Sequence, residues 1–177
     1  STGIDAVIAD AAVKNMLESL DLRVEYRDGR QLTLLDGVDV SGEIRTPQIS
    51  MLASYVSAYS FVRNKMVALQ REIAREVSCI LDGRDIGTNV LPECPYKFFL
   101  TASAEIRAKR RYEEDAAKGL SVNYQTILKD INERDYQDRN RAIAPLKCAP
   151  DAVTIDTSDL TIEQVVDAIL LKVQEKI

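Results

Sequence analysis

The sequence predicts an α/β protein, with a parallel sheet interleaved with helices in its second half and a small antiparallel lobe in its first. Three observations predict it. "VSCILDGRD", "YKFFLTA" and "DAVTIDTS" are short apolar runs separated by charged, helix-forming segments, the pattern of buried strands in βα units. Between residues 22 and 40 alternating apolar residues are interrupted by Asp28-Gly29 and Asp36-Gly37, the strongest short-range hairpin signal. A length of 177 residues suffices for one sizeable core with a lobe beside it.

Each element follows in order. Val7, Ile8, Ala11, Ala12 and Leu17 suggest a helix over Ala6 to Ser19, and Leu22 to Val40 reads as a small antiparallel sheet. Pro47 suits the first turn of the next helix, "PQISMLASYVSA". Phe61, Val62, Met66, Leu69 and Ile73 then recur at helical spacing across Ser60 to Glu76. "VSCILDGRD" reads as a buried strand feeding a loop, and Tyr96 to Ala102 as a second strand. A charged helix from Ser103 to about Lys118 should stop at Gly119. Asn123 is placed to cap a helix running from Tyr124 to about Arg139. Asp151 to Ser158 is the third strand, and Thr161 to Gln164 has the form of a capping box opening the closing amphipathic helix.

Composition narrows the function classes. Hydrophobic residues make up 46% and charged residues 29%, ordinary for a globular chain. Twenty-eight acids against 23 bases leave a net charge of −5, which argues against broad nucleic-acid or membrane-surface partners. Zero histidines exclude Ser-His-Asp and Cys-His nucleophile pairs and histidine-based zinc motifs. Cys79, Cys94 and Cys148 are odd in number and lack ligand spacing, so they are expected to be reduced thiols in a cytoplasmic protein. No apolar run approaches the ~20 residues of a membrane span, and "STGIDAVIAD" has no signal-peptide pattern.

Against that acidic background, "ERDYQDRNR" (133–141) packs three arginines and three acids into nine positions. On a helix Arg134, Asp138 and Arg141 fall at i, i+4, i+7, within roughly 60° of one another, while Arg139 points elsewhere. Two guanidiniums on one face can grip a phosphate bidentately, and the acid between them can accept from an amino group on the same ligand. The same pattern is also an ordinary solvated face laced with weak ion pairs. "LDGRDIGT" (81–88) puts Asp82 where a strand is expected to end, with Arg84 and Asp85 just beyond. Ligands of open α/β sheets bind at such ends, and an acid there can hold the water shell of Mg²⁺; a plain Asp-Gly turn is the alternative. Arg45 and Arg63 are weak signals on their own.

Four stretches in order resemble the bacterial cytidylate (CMP) kinases, of the nucleoside monophosphate kinase group. They are "DGVDVSGEIRTPQIS", "LDGRDIGTNVLPECPYKFFLTASAEIRAKRR", "GLSVNYQTILKDINERDYQDRNRAIAPL" and "DAVTIDTSDLTIEQVV". The resemblance implies a P-loop NTPase-like parallel-sheet core, an inserted monophosphate-binding lobe and a short helical lid. Residues 1–21 would then be an N-terminal helix, 22–77 the lobe, and 78–177 the core, with the lid at about 107–123. It implies phosphoryl transfer from ATP to CMP or dCMP, giving ADP and the diphosphate, with Mg²⁺ and with Asp82 behind the metal. Ser54 and Asp138 resemble the groups that recognise cytosine, and Asp85 the group on the ribose hydroxyls. Arg63, Arg84, Arg134 and Arg141 resemble the arginines around the acceptor phosphate. Arg110, with Arg107 and Arg111, resembles the lid arginine on the transferring phosphoryl group; Arg84, Arg110 and Arg134 are the expected catalytic set. A monomer is expected, with neither nucleic acid nor membrane as partner.

Such chemistry suits a chain without histidine, because phosphoryl transfer needs in-line positioning and positive charge more than covalent help. One family feature is missing: no GxxxxGK[ST] string, whose backbone cradles ATP phosphates, occurs in the 177 residues. The segment carrying it is expected to lie outside them. The 177 residues alone are expected to be inactive, and the alternative is a non-catalytic CMP-binding fragment that lacks the phosphate loop. A kinase for another pyrimidine monophosphate is a further alternative.

Overall fold

The computed structural model describes residues 2–56 and 59–175, with side chains for all of these except 2–10, 47, 50, 51, 54 and 55. The chain divides into two compact units, Ser1–Ile80 and Leu81–Ile177.

The first unit opens with helix α1 (Thr2–Ser19) and continues into strands β1 (Leu22–Arg27), β2 (Arg30–Leu35) and β3 (Val38–Asp39). These form an antiparallel sheet in the order β1-β2-β3, with Arg27 opposite Arg30 and Leu35 opposite Val38. The register follows from the turns. Asp28 and Gly29 have φ of 50° and 77°, and Asp36 and Gly37 have φ of 50° and 82°. Two successive left-handed residues make the tight hairpin turn whose twist matches the strands, and Asp-Gly tolerates it best. Leu34 is the buried residue of this sheet, whereas Val24, Tyr26 and Val38 face solvent. A 3₁₀ turn (Glu43–Arg45) leads to α2 (Pro47–Val56), where Thr46 Oγ1 accepts from the backbone N–H of Ile49 at 3.2 Å. Helix α3 (Ser60–Glu76) buries Val62 and ends at Val77, whose N–H bonds the Ile73 carbonyl at 3.1 Å.

The second unit is the parallel one. Strands β4 (Phe98–Thr101) and β5 (Val153–Asp156) pair in parallel, Phe98 opposite Val153 and Thr101 opposite Asp156. Helix α4 (Ala104–Ala117) follows β4 directly, capped by Ser103, whose hydroxyl accepts from Ile106 N–H at 3.2 Å. Gly119, at φ 76°, closes it. Helix α5 (Tyr124–Asn140) starts at Asn123, whose side chain accepts from Thr126 N–H at 3.1 Å. α4 and α5 pack together, with the Tyr112 and Tyr124 rings edge-on at 6.4 Å. Helix α6 (Ile162–Gln174) begins with both halves of the capping box, Thr161 and Gln164 each bonding the other's backbone. Buried apolar side chains here include Val90, Ala108 and Ala149.

One predicted strand does not form. Ser78–Leu81 has no regular structure, and Val77 and Ile80 are 55% and 99% exposed. Apolar, β-branched composition makes a segment strand-prone, but a strand exists only where a neighbour completes its hydrogen-bond ladder. Among the described residues β4 pairs with β5 alone, and nothing pairs with Ser78–Leu81. No helix among the described residues is long and apolar enough to cross a membrane.

The capping box of α6 gives a simple check on this reading. Thr161→Ala removes the side-chain acceptor and should lower unfolding stability by about 1 kcal/mol, measurable as a shift of the denaturant midpoint with an unchanged slope.

Candidate active site

The chemistry-bearing residues of the second unit gather from two places: the turn that follows Leu81 and the end of α5. After a bend at Gly83-Arg84-Asp85, residues Ile86–Val90 form one π turn, with Asn89 and Val90 N–H groups both reaching the Asp85 carbonyl at 2.9 and 3.2 Å. A Cβ on Gly87 would lie 3.2 Å from Lys97 Cδ, so a larger residue would have to push that stem back by a few tenths of an ångström. Lys97 is itself buried and fixed at its tip, donating to the Pro92 carbonyl at 2.5 Å and to Asp151 at 2.8 Å. The turn that carries Asp85 therefore rests on an anchored support.

At the other side, α5 ends at Asn140, and Arg141 is its C-cap with φ −63° and ψ 141°. This corrects the helical-face expectation: Arg141 has left the helix and is not at a true i+7 position. The cluster forms all the same, because the side chain turns back. Arg141 Nε donates to the Ala144 carbonyl at 2.5 Å, Nη1 stands 3.8 Å from Asp138 Oδ1, and Nη2 stands 3.6 Å from Asp85 Oδ1. Arg84 Nε donates to Asp138 Oδ2 at 2.8 Å. Thus Arg84, Asp85, Asp138 and Arg141 meet in one network, with Asp138 and Asp85 side chains only 17% and 13% exposed.

The forks of these arginines differ in use. Arg84 makes its hydrogen bond through Nε, and its two terminal nitrogens make none among the described residues. Arg141 Nη2 is buried and without a hydrogen bond. Arg134 is exposed on α5 and has neither hydrogen bond nor ion pair among the described residues. Arg107 is the opposite case. Its Nη1 and Nη2 bind Asp135 at 3.0 and 2.6 Å and its Nε the Ala102 carbonyl at 3.1 Å, tying α4 to α5 and to the end of β4. Arg110 gives Nη1 to Thr157 Oγ1 at 3.1 Å and Nη2 to the Thr157 carbonyl, just beyond β5. Arg111 Nε binds buried Asp115 at 2.8 Å.

The other expected residues lie on other elements. Arg63 lies on α3 in the first unit; Ser54 lies on α2, its side chain outside the described residues. Asp82 is exposed just before the bend and makes no hydrogen bond or ion pair among the described residues. No cluster of three or more potential metal ligands assembles among them either. A lone carboxylate fits Mg²⁺, which takes one or two carboxylates and completes its shell with waters and substrate phosphates. The cysteines are free. Asn89, Lys97 and Asp135 were missed by sequence reasoning. Asp135 stood among the acids of a solvated face, and only the Glu/Asp/Arg density around it hinted at a pairing.

A two-stranded parallel sheet with helices, an antiparallel lobe and an arginine–carboxylate network at the turn after Leu81 define a P-loop-like α/β protein of the nucleoside monophosphate kinase kind. The family model described as cytidylate kinase matches residues 3–175. Curated cytidylate kinases are similar throughout: that of Caldicellulosiruptor bescii is 48% identical over 89% of this chain and 70% of its own length. That of Mycobacterium avium is 45% identical over 93% and 72%, and that of Halalkalibacterium halodurans 41% over 95% and 76%. The chain belongs to the cytidylate kinase family.

The Arg107–Asp135 pair makes a pH-dependent prediction. The hydrogen bond from Arg107, more than its burial opposes, holds the Asp135 carboxyl below the usual carboxylate range. A depressed folded-state value means the contribution to stability is fully present above the unfolded value of about 4 and is lost as pH falls through the folded one. Asp135→Asn should cost about 1–2 kcal/mol near neutral pH and flatten the loss of stability below about pH 4, read from urea unfolding across that range.

Proposed function

We propose that the chain acts in phosphoryl transfer from ATP to CMP or dCMP, giving ADP and CDP or dCDP. The observation that carries this is the network of Arg84, Asp85, Asp138 and Arg141, in which carboxylates orient guanidiniums and leave their terminal N–H groups available. A monophosphate offers planar-matched oxygens to such forks. Arg84, Arg134 and Arg141, with Arg63, would hold the acceptor phosphate. Asp138 and Ser54 would accept from and donate to the cytosine edge, and Asp85 would meet the sugar hydroxyls. Residues 22–77 would serve as the monophosphate-binding lobe and about 107–123 as the lid.

For Arg107, Arg110 and Arg111 a role on ATP asks each to exchange its present protein bonds for phosphate oxygens, and the exchange is least costly for Arg111, whose terminal nitrogens make no hydrogen bond among the described residues. Asp82 would hold Mg²⁺ through water, and the ion when bound supplies charge neutralisation on the phosphates. Cytosine selection follows from the chemistry of Asp138: a site built to accept from an amino group is left unpaired by uracil.

A second reading has one observation behind it, the lack of a GxxxxGK[ST] string in these residues. In that reading they supply a CMP site alone. Calorimetry separates the two: CMP binding with no ADP release in the presence of ATP favours the binding module, and turnover favours the kinase.

Two outcomes are expected of the kinase. Transfer from ATP, followed by ADP release, should run at least about 100-fold better on CMP and dCMP than on UMP; equal rates would remove Asp138 as the selecting group. Arg134→Ala should lower kcat/KM for CMP by about 100-fold or more and leave the unfolding midpoint unchanged, because the Arg134 side chain has no hydrogen bond among the described residues to lose.

A further inference from the structure

The antiparallel sheet of the first unit has two unlike edges. β3, Val38–Asp39, is two residues long, and so short an edge offers little ladder to a neighbour. β1, Leu22–Arg27, is the other edge: six residues without proline, glycine or bulge, whose outer side pairs with no strand among the described residues. Arg27 and Arg30 close a two-residue hairpin, and Asp36 N–H donates to the Asp21 carbonyl at 2.8 Å. The odd-numbered residues therefore turn their backbone groups to β2, and Leu22, Val24 and Tyr26 turn theirs outward.

The side chains divide by the same alternation. Leu22, Val24 and Tyr26 share one face, where Val24 is 39% and Tyr26 77% exposed. Asp21, Arg23, Glu25 and Arg27 share the other and alternate in sign along it. Arg23 Nη2 lies 2.7 Å from Asp21 Oδ2, Arg27 pairs with Glu25, and these four side chains are 31% to 65% exposed.

A strand added to this edge must match both patterns. Turned about a two-fold axis through Val24, a second copy of β1 sets Val24 opposite Val24 and Leu22 opposite Tyr26, with outward backbone groups facing one another. On the charged face the same rotation sets Arg23 opposite Glu25 and Asp21 opposite Arg27. Every charge then meets its opposite across the strands as well as along its own. Neighbouring registers fail. A shift of one residue sets outward backbone groups against inward ones. A shift of two sets Arg23 opposite Arg23 and Asp21 opposite Glu25, or, the other way, Glu25 opposite Glu25 and Arg23 opposite Arg27. Charges on an edge strand ordinarily discourage pairing; these discourage the adjacent registers and admit one.

We propose that β1 is a self-association surface: two copies of this protein join edge to edge, antiparallel about Val24, with three strands from each in one continuous sheet. The pattern repeats itself under the two-fold rotation, and that commits the edge to a second copy rather than a foreign strand. Exposed ion pairs contribute little adhesion. The backbone ladder and the ridge of Leu22, Val24 and Tyr26 supply it, and the charges select the register. This dimer takes the place of the monomer expected from the sequence and is independent of the proposed chemistry.

Sedimentation velocity over a range of concentrations tests it. The unsubstituted protein should pass from the monomer mass to twice that mass as its concentration rises to about 0.1 mM. Arg23→Glu alone sets like charges opposite each other, as does Glu25→Arg alone, and each variant should self-associate at least about tenfold more weakly. An equimolar mixture of the two restores opposite charges in every cross-strand pair and should dimerise again. Val24→Pro removes an outward N–H and no bond to β2, so it should leave a folded monomer, its fold checked by circular dichroism. An unsubstituted protein that stays monomeric over that range would overturn the proposal. So would charge variants that dimerise singly as well as it does, a mixture no better than its components, or a dimer that survives Val24→Pro.

Discussion

The bond from Arg84 Nε to Asp138 Oδ2, 2.8 Å long and spanning 54 residues of sequence, is the constraint on which the site depends. It joins the turn after Leu81 to the last turn of α5, two segments with no strand pairing between them. Arg84 is 46% exposed, so the energy of the pair is modest and its worth lies in orientation. Arg141 then takes its place from the same carboxylate and from the Ala144 carbonyl, and Asp85 from Arg141 and Asn89. Each group in the network is aimed by another. Removing the first bond would leave two like-charged carboxylates and two guanidiniums to find new partners in partly buried surroundings, where unpaired charge is costly.

Much of the fold was legible because its determinants are local. Asp28-Gly29 and Asp36-Gly37 set the hairpins through the φ values they alone tolerate well, and Asn123 and Thr161 start their helices through their own side chains. What stayed illegible depended on partners far along the chain. Val77 to Leu81 has the residues of a strand but no ladder among the described residues. The i, i+4, i+7 spacing brought Arg134, Asp138 and Arg141 together on paper, yet Arg141 reaches the group from a C-cap, by a turned-back side chain that no periodicity encodes. Arg107 looked identical to its neighbours in "RAKRR", and only the approach of α5 to α4 shows that its whole fork is bound to Asp135. The π turn over Ile86–Val90, which follows Asp85, has no sequence signature.

The charge balance of the network also bears on how an anion could be held by an acidic chain. Arg84 and Arg141 face Asp85 and Asp138, two guanidiniums against two carboxylates, within a molecule of net charge −5. Long-range attraction would do little for a phosphate here, since exposed charges are screened within about 8 Å at physiological salt. Selectivity must come from contact geometry. A dianion placed beside Asp85 or Asp138 would be repelled, so in the proposed site the carboxylates would take neutral donors and the guanidiniums the phosphate.

That division of labour explains why arginine, and not lysine, serves at these positions. Arg84 binds Asp138 with Nε and keeps both terminal nitrogens turned outward; Arg141 binds a carbonyl with Nε and holds Nη2 toward Asp85. A guanidinium is planar, so fixing Nε fixes the plane of the fork, and a bidentate partner then meets two donors already in place. Lysine has one nitrogen at the end of a flexible stem. Bonded to Asp138 it would be neutralised and turned inward; released for a phosphate it would leave Asp138 without its orienting partner. A group that must hold its neighbour and still present donors to a ligand needs chemically distinct edges, and among the cationic side chains of this histidine-free sequence only the guanidinium has them.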